Sequence, residues 1–471
     1  MSRTDGLAQA LSRRAKIKKI EAAIAFFAAN RAFLDRYEDL ESFVFNAFEH
    51  DEKLAQGVEY HLVALRRQLL DELWSRHIFL SVNAIEQLLY MSLKADVHPF
   101  VAFCDCVLEN GLHHPGLVLY PLHSFGFLGL GLFGLGRPQR VATLDLSAAG
   151  IELTPQTNNF DRSIAFVEFA RKTLGIVHEV PRELLEHYYR SRPLKWFTQN
   201  PLLAVRVSSY ASGYYVNQRI LLMKLRLSTT LIAMVAVMGR REVPSEYHDF
   251  STARVNNWET LDIAHYLLFQ ADPNKSHLSV DCTPMHVNRI ELAELADLGV
   301  DIDPRAWKGK ARRSQLTTIR NALEFLEDGY LRHCVIGSKS QELSRLFRKL
   351  LSSINYFRRS LRARGQTSEN IVALAIAFET LLIDFYARGV TDRIHMRVRT
   401  CLAGKSGVAA MCDAVQELFV SRGKILHAGE TLQFKDIPLA RKAYVICFVH
   451  ISQRLTLLDP KTKNPLSAIF L

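Results

Sequence analysis

The chain lacks a disulfide framework. Its seven cysteines are scattered, and only Cys104 and Cys106 lie close together. A lone C-x-C has no second ligand pair, so it does not make a zinc site. An odd, unpatterned set of thiols excludes the small disulfide-stapled class and points to a reducing compartment, the cytoplasm. A cleaved leader is also missing from expectation. Arg13-Arg-Ala-Lys-Ile-Lys-Lys19 is basic, but Glu21 interrupts the apolar run behind it. There is no internal repeat and no long low-complexity tract. Acidic residues are scarce in one place: between Arg305 and Arg364 stand fifteen Lys or Arg and only four Asp or Glu. That segment alone matches the whole-chain excess of +11. Such a block suits a polyanion, nucleic acid before anionic membrane, or else forms a solvated helix face.

What is present is enough for several domains. A chain of 471 residues with 48% hydrophobic and 23% charged residues is an ordinary soluble composition, too long for one small core. The expected fold is mainly α. A helical N-terminal domain covers residues 1–110, where Ile20 to Leu34, Ala55 to Leu73 and Phe79 to Leu93 show helical spacing. A mixed α/β middle region covers residues 111–300. Residues 301–338 form a basic helical connector, and residues 339–471 a helical bundle.

The middle region carries an uncharged, glycine-rich stretch, Gly116 to Gly136. Its length suits a membrane span, but six glycines, Pro121 and His123 argue for a buried strand and a glycine-rich turn. No stable membrane association is expected. Gly129 to Gly134 matches G-x-G-x-x-G, yet Arg137-Pro138 and strand-like Val141 to Leu146 follow where a dinucleotide site needs a helix. Residues 159–240 read as helix broken at Pro181, Pro193 and Pro201, with Tyr210, Tyr214 and Tyr215 as core aromatics or base-stacking platforms. His265 to Gln270 and Leu278 to Cys282 read as two strands around the turn Asp272-Pro-Asn-Lys275.

The bundle parses into helices at Lys339–Arg364, Ser368–Tyr386, Asp392–Leu402, Val408–His427 and Ile437–Leu458. Two features stand out against its apolar pattern. Between Ile371 and Ile383, Glu379 is the sole charge on a helix that is apolar almost all round. Further on, Met411, Val415, Leu418 and Ile425 mark a core stripe in which the next slot is occupied by Arg422. A guanidinium does not shed its proton, so each of these charges needs a partner, and they are expected to meet or share a cleft. His427 follows just before the helix stop Ala428-Gly429.

Phe378-Glu-Thr-Leu-Leu-Ile-Asp384, Arg393-Ile-His-Met-Arg-Val-Arg399 and Leu418-Phe-Val-Ser-Arg-Gly-Lys-Ile-Leu-His-Ala-Gly429 together resemble the Apea-like branch of the HEPN superfamily. The resemblance covers roughly residues 340–460. It implies a helical bundle that dimerises and, in many members, a metal-independent RNA endonuclease of anti-phage or toxin systems, answering a phage-derived or cellular trigger. The R-x4-6-H motif of that family carries over onto Arg422 and His427 as the catalytic pair, with Glu379 supporting. Spacing alone does not select them, since five Arg/His pairs in the chain satisfy it. The apolar stripe, the helix end and Glu379 do. Gly423 departs from the polar residue that often follows the arginine in active members. Arg393, His395, Arg397, Arg399 and Lys424 are the expected RNA-binding residues. No metal and no cofactor are implied. A non-catalytic RNA-binding or dimerisation module is the alternative. Residues five apart on a helix point about 140° apart, so Arg422 and His427 do not share a face unless the long arginine side chain reaches around, and two copies across a dimer axis are expected to bring an Arg and a His to one cleft more readily.

Overall fold

The structure is a computed structural model that describes residues 5–14, 16–76, 78–112, 114–122, 126–127, 143–144, 151–154, 160–190, 202–208, 218–239, 265–271, 277–284, 295, 300–302, 309–336, 340–362, 367–384, 389–430, 434–459 and 462–470. It is mainly α, with a small antiparallel sheet in the middle of the chain.

Seven helices open it: α1 (Asp5–Arg14), α2 (Ile17–Ala29), α3 (Arg31–Leu34), α4 (Leu40–His50), α5 (Glu52–Ser75), α6 (Val82–Lys94) and α7 (Pro99–Glu109). Their starts follow capping chemistry. The Asp39 carboxylate accepts from the Ser42 amide while the Ser42 hydroxyl serves the Asp39 amide, and Asp51 and Ser81 cap the next two long helices. That hydrogen bonding holds the Asp39 carboxyl below its ordinary range.

The sheet is centred on β1 (Pro115–Pro121). It pairs antiparallel with β5 (Leu202–Ser208) along its full length and with β6 (His265–Ala271) on the other side. β4 (Ile151–Thr154) and β3 (Thr143–Leu144) extend one edge, and β7 (Leu278–Pro284) closes the other. A separate parallel pair joins β2 (Gly126–Phe127) to β8 (Asp301–Ile302). Side chains alternate across the sheet with period two. Leu117, Leu119, Leu202 and Phe269 pack beneath α8 (Phe160–Thr173), while Val118, Tyr120, Leu203 and Leu268 join the main core. Both faces are covered, which explains the unbroken apolar run Leu117-Val-Leu-Tyr120. The hairpin expected from His265 to Cys282 is present, with Leu267 opposite Cys282. One reading is corrected: residues 159–240 are not all helix between proline breaks. Leu202–Ser208 is the strand at the side of β1, because alternate residues there can fill both buried faces at once. Among the described residues, the helices of that stretch are α8, α9 (Arg182–Arg190) and α10 (Gln218–Gly239). The G-x-G-x-x-G segment and Tyr210, Tyr214 and Tyr215 lie outside the described residues.

Helix α10 is the one helix among the described residues long and apolar enough to cross a bilayer, and 83% of that window is buried inside the protein. It packs against α11 (Lys310–Tyr330), which runs on into a π-helical turn, Leu331–Val335. The rest of the chain is α12 (Gln341–Arg359), α13 (Thr367–Leu382), α14 (Val390–Leu402), α15 (Val408–Ala428), α16 (Ile437–Leu455) and α17 (Pro465–Ala468). These match the five expected bundle helices to within a few residues at each end. Part of the basic block between Arg305 and Arg364 is spent on structure, while Lys310, Arg313, Arg332, Arg345 and Arg348 are exposed. Arg358 is fully buried and donates to the Thr229 hydroxyl of α10 at 2.8 Å. Arg312 donates to the Met238 carbonyl at 2.7 Å, and burial pushes the Lys349 ammonium below its ordinary range. The acids there are also engaged: Glu327 pairs with buried Lys224 of α10, whose ammonium lies over the Phe79 ring at 4.8 Å. One apolar core runs from Leu7 to Leu466 through all of these helices.

Candidate functional site

Glu379 stands on α13, and Arg422 and His427 stand on α15. α12, α13 and α16 are pinned at the bundle centre by Ser353, whose hydroxyl donates to the Ala377 carbonyl at 2.8 Å and meets the Tyr444 hydroxyl at 2.6 Å. Tyr444 also stacks flat on Phe357. That clamp fixes the turn of α13 that carries Glu379. Across it lies α15, whose buried line Met411, Ala414, Val415 and Leu418 faces α13.

Arg422 continues that line one turn beyond Leu418 and meets Glu379. The two guanidinium nitrogens approach the two carboxylate oxygens at 3.3 and 3.4 Å. The forked arrangement suits a planar carboxylate. The pair is not sealed: 31% of the Arg422 side chain and 27% of the Glu379 side chain remain accessible. The Nε of Arg422 finds no hydrogen-bond partner among the described residues. That nitrogen is itself buried, so the accessible part of Arg422 lies elsewhere on the side chain that Glu379 orients.

His427 lies in the last turn of the same helix, and Gly429, in the left-handed region at φ 67°, ends it. The imidazole is exposed, on a different face from Arg422, as the 140° offset requires. It shares a stripe with Val420, Gly423 and Lys424, at the i, i+3, i+4, i+7 spacing of one helix face. Gly423 is informative. A Cβ built there would meet nothing within 4 Å, and its backbone is not left-handed. Nothing within the chain requires glycine at that position, although it costs a helix about 1 kcal/mol against alanine. Val420 and Leu426 are each 52% exposed, and Met396 of α14 is 59% exposed.

The expected RNA-binding residues divide. Arg399 and Lys424 are exposed, and Arg393 is half-buried. His395 is half-buried with its ring edge-on to Phe419 at 6.0 Å, one turn before Arg422. Burial lowers its pKa, Asp392 opposes that shift and Arg399 adds to it. Its Nε2 has no partner among the described residues. Arg397 departs from the expectation. It points inward and is 93% buried, donating to the Leu382 carbonyl, to Asp384 at 3.4 Å and to the Ser467 hydroxyl at 3.3 Å. Its guanidinium also covers the Phe470 ring at 4.8 Å. Arg397 ties the end of α13 to α17 and is not a free surface cation. The i, i+2 spacing from His395 and Arg399 was the available signal, since these three cannot share one helix face.

Cysteine offers no catalytic alternative at this place. The six cysteines whose side chains are described are unbridged, and burial raises the thiols of Cys447 and Cys412. Among the described residues no group of three or more His, Cys, Asp or Glu is arranged to hold a metal ion. Comparison of the chain with protein-family models, curated proteins and solved structures finds no match. The fold and site define, on their own, a mainly helical protein whose C-terminal bundle presents a carboxylate-oriented arginine and a nearby exposed histidine.

Proposed function

We propose that the C-terminal bundle is a HEPN-type endoribonuclease that acts as a homodimer on RNA, as a cytoplasmic effector of defence restrained or triggered through the rest of the chain. The observation that carries this reading is the forked contact of Arg422 with Glu379, which leaves the arginine accessible next to an exposed His427. Within one chain the arginine and the histidine face different ways. Two copies meeting along the Val420–Gly423–Lys424–His427 stripe bring both pairs to one groove. The side-chain-free Gly423 lets the helices approach closely, and exposed Val420 and Leu426 supply apolar contact.

In that groove one imidazole takes the proton of an RNA 2′-hydroxyl. The freed oxygen forms a bond to the adjacent phosphorus, the bond to the 5′-oxygen breaks, and a second imidazole, protonated, supplies the leaving oxygen with its proton. Arg422 binds the phosphate and offsets the charge that builds on its oxygens. The products are a 2′,3′-cyclic phosphate and a 5′-hydroxyl. Arg399, Lys424, Arg393 and His395 flank the groove as backbone contacts. The experiment is a pair of substrates, one RNA and the same strand carrying a single 2′-deoxynucleotide at the mapped cleavage position. Loss of cutting at that position alone supports the in-line 2′-hydroxyl attack; equal cutting of both strands rejects it.

The second reading is a non-catalytic RNA-binding or dimerisation module. The opposed directions of Arg422 and His427 in a single copy favour it, because one chain by itself cannot present both to one phosphate. A protein that binds RNA and dimerises but leaves it intact under all salt and pH conditions selects this reading.

A further inference from the structure

The N-terminal helices carry two exposed patches of opposite charge, each with an apolar residue at its centre. The first lies on α4. Between Asp35 and Glu59 stand eight Asp or Glu and only two Lys or Arg, a net −6 inside a chain whose net charge is +11. Helix α4 itself holds no Lys or Arg. Glu41, Val44, Phe45 and Glu49 follow the i, i+3, i+4, i+8 spacing of one helix face. All four are exposed, Val44 to 49% and Phe45 to 73%. Glu41 and Glu49 form no ion pair among the described residues. Adjacent open apolar residues with a charged rim have the make-up of an interaction surface. The second patch lies where α2 begins. Arg13 to Lys19 hold five Lys or Arg and no acid. Lys16, Ile17, Lys18 and Lys19 are exposed, Ile17 to 64%. These lysines do not serve α2. No side chain caps its start and no acid stands in its first turn, and cations there oppose the positive end of the helix dipole. The ridge is nevertheless held in place, because the Lys16 amide donates to the Gln68 side chain of α5 at 2.8 Å. A solvated helix face carries both signs, paired at i, i+4. Each of these patches carries one sign and supplies what the other lacks.

We infer that the N-terminal helices bind a second copy of this chain, with the lysine ridge around Ile17 of one copy seated on the Val44–Phe45 face of the other. Ile17 covers the Phe45 ring, and Lys16, Lys18 and Lys19 meet Glu41, Glu49 and Glu52 at the rim. The occupant is a second copy because the chain itself carries the matching cationic, apolar-centred ridge. The two surfaces are unlike, so the contact is heterologous, and a copy offers its face to one neighbour and its ridge to another. It uses none of the α15 residues, so the inference does not depend on the nuclease reading.

The test is sedimentation of the full chain over a range of concentrations at low and at high salt. The wild type is expected to gain mass with concentration and to lose most of that gain between about 50 and about 500 mM salt, where charge pairs are screened. Lys16→Glu/Lys18→Glu/Lys19→Glu and Glu41→Lys/Glu49→Lys/Glu52→Lys, each alone, should associate on the order of tenfold more weakly or worse, since like charges then face each other. Mixed one to one, the two reversed proteins should recover the association, because the new glutamates meet the new lysines. Phe45→Ser changes one open side chain and should weaken association to a similar degree even if a triple variant folds poorly. A wild type whose mass is independent of concentration up to about 100 μM overturns the inference. So does a mass gain that is unchanged in both reversed proteins and in Phe45→Ser, which belongs to another contact, and so does a mixture that associates no better than its components. A wild type that stays apart from itself yet binds phosphatidylglycerol vesicles through the ridge, or a synthetic lysine-rich amphipathic peptide through Phe45, assigns the patches to other partners and rejects the second copy.

Discussion

Two arginines of the same bundle look alike in sequence and end in opposite situations. Arg397 and Arg422 each interrupt an apolar helical pattern, and each meets a carboxylate. Arg397 is closed on all sides by Asp384, Ser467, the Leu382 carbonyl and the Phe470 ring, with only 7% of its side chain accessible. Arg422 has one carboxylate partner and remains about a third open. A cation shut off from solvent among several partners holds structure together. One that is oriented but incomplete is available to a ligand. The distinction rests on how many partners the folded chain supplies, not on the charge itself.

The largest effect expected from this contrast is on catalysis. Arg422→Ala and His427→Ala should each reduce RNA cleavage by about 10²-fold or more, the usual cost of removing a charge-stabilising group or an acid–base group. Both proteins should remain folded, as judged by circular dichroism and melting. Arg397→Ala should do the reverse. Removing one member of a buried, hydrogen-bonded pair costs about 3–5 kcal/mol, so chemical denaturation should show a large loss of stability. Its residual activity should track the folded fraction. If Arg397→Ala is stable yet inactive, the division between the two arginines fails.

Smaller effects sharpen the same contrast. Loss of the half-exposed pair in Arg422→Ala should cost about 1 kcal/mol, several times less than Arg397→Ala in the same denaturant series. Gly423→Ala should stabilise the isolated helix by about 1 kcal/mol, since the added methyl meets nothing within the chain. Analytical ultracentrifugation should nevertheless show a weaker dimer, because in the proposed dimer that methyl stands between two copies; an unchanged dimer would remove Gly423 from the interface. The smallest effect concerns His395. Its folded pKa is lowered by burial, so the unfolded chain takes up its proton first as pH falls below about 6.5. The unfolded state then holds more protons and stability declines with acidification. His395→Gln should flatten the stability profile between neutral pH and pH ~5.

Much of this architecture can be read from residues. The five bundle helices follow from apolar periodicity, and the meeting of Glu379 with Arg422 follows from two charges with nowhere else to go. The hairpin of β6 and β7 follows from alternation on either side of a polar turn. Leu202–Ser208 was obscured because a strand buried on both faces has no polar alternation, and the prolines before it, Pro193 and Pro201, read equally well as helix breaks. The inward turn of Arg397 was obscured because Ser467 and Phe470 reach it from the far end of the chain, a contact no local pattern encodes.

The most direct measurement is the chemistry of the RNA ends. Purified full-length protein is incubated with a labelled single-stranded RNA in excess EDTA, and the fragments are resolved by mass. The account predicts 2′,3′-cyclic phosphate and 5′-hydroxyl termini from the wild type and intact RNA from His427→Ala. Identical fragments from both proteins, or intact RNA from both, would contradict it.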